Sequence, residues 1–167
     1  MGWTLLYKYH PDKPILDRIH TYKASHIVST NAVVNDLLDE KGDALPFLSK
    51  IYPKDVDNLE WMHAIRKAAT MGITPNIVEV HESLTSRRFI FDKVDFLAPF
   101  EEYDNTTLKP QLEMKIQLLY KLNIRPDSIK WNNIMVKNKN HVMIFGLKKA
   151  RFPVKTPKEM RIKYPSQ

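Results

Sequence analysis

Two short apolar runs, Ile134-Met135-Val136 and His141-Val142-Met143-Ile144-Phe145, stand either side of the polar stretch Lys137-Asn138-Lys139-Asn140. Apolar, β-branched runs broken by Asn and Lys predict a tight antiparallel hairpin. A hairpin of this size is not stable by itself in water. It has to be held by the rest of the chain.

The preceding sequence supplies the elements that could hold it. Trp3 to Tyr9 reads as a short strand. His26 to Leu38 reads as two strands turning near Ser29-Thr30-Asn31, and Ala44 to Tyr52 as a third, after the turn Asp39 to Asp43. Asp57 is placed to cap a helix, with Glu60 able to reach back to its amide. Leu59, Met62, Ile65 and Ala69 give that helix one apolar face, and Gly72 is placed to end it. Asn76 to His81 and Arg88 to Val94 read as strands, and Asp95 to Thr106 as an irregular connection. Leu108, Leu112, Ile116, Leu119 and Leu122 form the apolar face of a second helix. A sheet with an inserted helix, followed by a helical part, is an α+β plan.

Composition narrows the chemistry. The 167 residues suffice for one domain with its own core. There is no cysteine, which excludes disulfides, thiolate metal sites and cysteine nucleophiles. The six histidines are scattered, without the spacing of a metal site. No apolar run approaches a membrane span, and the polar start does not read as a secretory signal. A cytoplasmic or nuclear location is the expectation. Net charge is +7, and Lys148 to Gln167 holds seven basic residues against Glu159 alone. That stretch suits an acidic partner, nucleic acid or an anionic surface. No aromatic platform for bases accompanies it.

The order of elements and several motifs resemble the protein kinases. Asn133-Ile134-Met135-Val136 is similar to the end of their catalytic loop, and Phe145-Gly146-Leu147 to their Asp-Phe-Gly motif. Phe47-Leu48-Ser49-Lys50 resembles the Val-Ala-Ile-Lys strand, and Gly72-Ile73-Thr74-Pro75-Asn76-Ile77-Val78 the segment after the small-lobe helix. The resemblance implies a kinase-like α+β fold with a five-stranded small-lobe sheet, one inserted helix and an abbreviated helical large lobe. It implies an N-terminal extension over 1–24, a small lobe over 25–94, a truncated large lobe over 95–151 and a basic tail over 152–167. It also implies that Lys50, paired with Glu60, and Asn133 would contact ATP.

The working acids of the family are missing from their places. In the gapless register Ser128 falls on the catalytic Asp position; one deletion and one insertion would put Asp127 there instead. The metal-binding Asp before Phe-Gly is Ile144, which offers no oxygen ligand. Mg²⁺ would therefore need unusual ligands, and no metal-binding residue is assigned. The phosphate-binding glycines are replaced by Ser29 to Val34. These losses imply a pseudokinase that binds and regulates another protein, such as a kinase or its substrate. Compact degenerate kinases of this sort occur among viral and other parasitic proteins. The alternatives are a minimal atypical phosphotransferase and a binder of nucleic acid or other anions through the basic tail. A homodimer would cover apolar surface left by an incomplete large lobe.

Overall fold

The computed structural model describes residues 2–29, 32–54, 58–96, 105–126, 133–138 and 140–149. The chain divides into two compact units, Met1–Leu59 with Asn76–Lys93, and Glu60–Pro75 with Val94–Gln167.

The first unit is built on an antiparallel sheet of β1 (Thr4–Lys8), β2 (Thr21–Ser29), β3 (Ala32–Leu38), β4 (Ala44–Pro53), β5 (Ile77–Glu82) and β6 (Ser86–Asp92). Its spatial order is β1-β5-β6-β4-β3-β2. The expected sheet had five strands; the structure has six. The extra one is β1, which pairs with β5 through Thr4↔Glu82 and Leu5↔His81. Local sequence marks residues 4–8 as a strand, but only a tertiary partner some seventy positions away makes it part of this sheet.

Both faces of the sheet are buried in its centre. One carries Val34, Leu48, Lys50, Tyr52, Val80, Phe89 and Phe91, with the Tyr52 and Phe89 rings 4.8 Å apart. The other is packed around Ile15, Leu37, Leu45 and Ile90, with Ile19, Tyr22, Phe47 and Val78 against them. Because β1 and β2 are the opposite edges, residues 9–20 must run the full width of this second face. Five strand spacings amount to about 24 Å, well within the reach of twelve residues. A single 3₁₀ turn, Ile15–Arg18, lies midway along this strap. The strap is tied along its course by Tyr9 N–H to Val78 O and by His20 N–H to Leu38 O.

In the second unit, helix α1 (Asn58–Thr70) continues from Glu60 onward and buries Met62, Ile65 and Ala68. It ends as expected at Gly72, whose φ is +73°. Ile73 N–H reaches Ala68 O and Gly72 N–H reaches Ala69 O, the paired bonds of a Schellman ending. The Asp57 cap lies outside the described residues, as do the tail from 150 onward and the turn residues Thr30 and Asn31. Helix α2 (Asn105–Leu122) buries Leu108, Leu112, Ile116 and Leu119 and packs against the hairpin.

That hairpin is β9 (Ile134–Lys137) and β10 (His141–Ile144), in the register Ile134↔Ile144 and Lys137↔His141. Strand β7 (Asp95–Phe96) extends it on the β9 side, inside the stretch read as irregular. The short strands β8 (Ile124–Pro126) and β11 (Leu147–Lys149) pair antiparallel, with Pro126 opposite Leu147. The segments leading into 127–132 and out of Phe145-Gly146 thus run side by side.

Candidate functional site

The turn after the hairpin is organised around Asn133. Its carbonyl accepts the Phe145 N–H at 2.8 Å, and its side chain is fully buried. Gly146 lies directly over that side chain. A Cβ built at 146 would sit 3.3 Å from Asn133 Oδ1, and Gly146 has φ +77°. A residue with a side chain would be strained there in conformation and crowded in space.

Ile144, immediately before Phe145-Gly146, is wholly buried. Its N–H donates to Ile73 O at 2.8 Å, so it is fixed into the core of the unit. A branched alkyl group in this position has no lone pair for a metal. Among the described residues of this turn, Asn133 carries a side-chain oxygen and Ile144 carries none. Asp127 and Ser128, the two candidates for the catalytic acid position, lie outside the described residues.

The same unit holds a lysine that the sequence did not flag. Lys115 of α2 is buried and donates to the carbonyls of Gly72 and Val142. His141 Nε2 also lies 3.1 Å from Gly72 O. Burial pulls the Lys115 ammonium down to about 8. With the Ile144–Ile73 bond, these donors fasten the segment after α1 onto the hairpin.

In the first unit, Lys50 of β4 is buried, with its Nζ 4.9 Å from the centre of the Tyr52 ring. That distance is within the range of a cation–π contact. Glu60, its expected partner, is helical in backbone, and its side chain lies outside the described residues.

Sequence reasoning missed a polar cluster on the strap side of the sheet. Glu79 is 0% exposed yet takes four donors. Oε2 accepts from Ile15 N–H at 2.6 Å and lies 2.8 Å from His10 Nε2. Oε1 accepts from Leu16 N–H at 3.2 Å and lies 3.0 Å from His81 Nε2. The carboxylate thus caps the 3₁₀ turn, whose N-cap residue Pro14 provides no side-chain cap. Burial pushes the Glu79 carboxyl up, but bonds from His81, Ile15, His10 and Leu16 outweigh this and hold it below its ordinary value. Burial holds the His81 imidazole below its ordinary value, with Glu79 opposing and Arg88 reinforcing.

Arg88 of β6 stands directly opposite His81. Its guanidinium is 4.6 Å from the Trp3 ring centre and 3.5 Å from that of Tyr22. Nη1 donates to Ser49 Oγ at 2.8 Å. Stacking between two rings suits the planar, weakly hydrated guanidinium. The signal that could have found this cluster is the pairing of Glu79 and His81 two residues apart, which puts both on one face of a strand.

No family model and no curated protein matches the sequence. Solved structures do match. The crystal structure of Rad53 1-466 in complex with AMP-PNP superposes with a TM-score of 0.51 at 14% identity, over 78% of this chain and 38% of that one. The chain therefore spans well under half the length of this neighbour. At that identity the likeness concerns the fold, and it places the chain among kinase-like folds.

Proposed function

We propose that this protein is a catalytically degenerate kinase-like protein that works by binding and regulating another protein. The observation that carries the reading is Ile144. The position from which the kinase motif extends a metal-binding carboxylate is an isoleucine sealed in the core. Phosphoryl transfer rests on positioning and on neutralising developing charge, and the metal is central to both. Leu48 supports the same reading. It stands two residues before Lys50, where the Val-Ala-Ile-Lys motif carries alanine, and is buried on the same face as Lys50.

A nucleotide contact, if the protein makes one, is assigned to Lys50, Glu60 and Asn133, with nucleotide as a structural ligand rather than a substrate. The division into extension, small lobe, truncated large lobe and basic tail is part of the same proposal. The tail would add attraction to an acidic partner, weakened by salt.

The test is a phosphotransfer assay of the full chain with labelled ATP, Mg²⁺ or Mn²⁺, and acidic and basic protein acceptors. Incorporation should not exceed that of Lys50→Ala. Transfer that depends on Lys50 would favour the minimal phosphotransferase instead.

A further inference from the structure

The strap over residues 9–20 is fastened differently from the strands on either side of it. Ladders of backbone bonds hold β1 and β2. The middle of the strap is held by one side chain, Glu79, which takes the Ile15 and Leu16 amides and the His10 ring together. Around this point the titratable and charged groups come from five elements, the strap and strands β5, β6, β2 and β1. His10 belongs to the strap. His81 shares strand β5 with Glu79. Arg88 faces His81 from β6, with the Tyr22 phenol stacked on it. Lys8 of β1 is opposite Glu79 in register, and its side chain is exposed. Beneath the strap lies an apolar groove of Leu37, Leu45 and Ile90, filled by Ile15.

We propose that residues 9–20 are a proton-released strap: protonation of the Glu79–His81 pair lifts the 3₁₀ turn and uncovers the groove of Leu37, Leu45 and Ile90, while the six-stranded sheet stays folded. The direction follows from linkage. Both Glu79, which is bonded to the strap, and His81 beside it are buried and held below their ordinary values. The lifted state returns them to solvent, binds protons more readily, and so gains population as pH falls. One proton taken up per opening changes the opening equilibrium by up to tenfold per pH unit. His81 acts first, below its ordinary value near 6.5, and Glu79 follows below about 4.5. Local opening at a cost below that of global unfolding is the usual behaviour of segments held by few bonds.

The experiment is amide hydrogen exchange on the full chain at pH 7.5, 6.5 and 5.5, with rates corrected for intrinsic pH dependence. The proposal expects the protection of Ile15 and Leu16 to fall several-fold between pH 7.5 and 5.5, while amides of β4 and β6 keep theirs. In the double variant His10→Gln/His81→Gln the same two amides should stay protected and lose this pH dependence. Two outcomes would overturn the proposal: exchange of Ile15 and Leu16 in step with β4 and β6 at every pH, or an undiminished pH dependence in the double variant. Where the double variant does not fold, the comparison of Ile15 with β4 in the native chain decides alone.

Discussion

Gly146 lies tightly on Asn133: Asn133 Oδ1 would be 3.3 Å from an added Cβ, and the glycine has φ +77°. The turn after Phe145 is therefore fitted to a glycine, and the residue before that turn is the buried Ile144.

Gly146→Ala should lower stability by about 1–3 kcal/mol, combining the left-handed backbone penalty with the crowded contact. Gly42→Ala is the control. Its φ is +83°, but nothing lies within 4 Å of the added Cβ, so it should cost only about 1 kcal/mol. Urea denaturation of both variants checks the order.

Glu79→Gln should cost about 2–4 kcal/mol, because an amide cannot accept four donors and brings two of its own into a buried site. The native protein should also lose stability on acidification. His81 and Glu79 both titrate below their ordinary values in the folded state. The unfolded chain therefore binds protons first, below about 6.5 for His81 and below about 4.5 for Glu79. Denaturation midpoints should fall from pH 7 to 4, less so in His81→Gln.

Much of this architecture was legible because it rests on local signals. The hairpin of β9 and β10 follows from two apolar runs and an Asn-rich turn, and the end of α1 from a glycine in the left-handed region. Glu79 was not legible, since Glu and His alternating with Val in β5 carry no local signal that distinguishes a buried polar face from a solvated one. The strap makes that side a second interior. Nothing local in residues 9–20 says that they cross a sheet, because the crossing follows from which strands form the edges. Lys50, Asn133 and Ile144 gain meaning only from motif order, because no local pattern around any of them assigns a role.

Lys115 gives the opposite pH dependence. Its folded value of about 8 lies below the ordinary 10.5. The unfolded chain then binds the extra proton between those values, and this group adds stability as pH rises from about 8 to 10.5. Lys115→Met should flatten that rise, visible in thermal midpoints taken in alkaline buffers.

Arg88→Lys should destabilise by about 1–3 kcal/mol. An ammonium cannot stack between Trp3 and Tyr22 while donating to Ser49. Chemical denaturation at neutral pH measures the loss, and Trp3→Ala should reduce the further effect of Arg88→Lys in a double-mutant cycle.

The central claim is that the kinase-like frame no longer recruits a catalytic metal with nucleotide. The most direct measurement is the thermal unfolding midpoint with ATP, first in EDTA and then in Mg²⁺ or Mn²⁺, since a ligand of the native state must raise it. The account predicts the same midpoint with and without metal, whether or not ATP alone shifts it. A shift that appears only with metal, and is lost in Asp127→Asn, would contradict the account and restore phosphoryl transfer as the function to be explained.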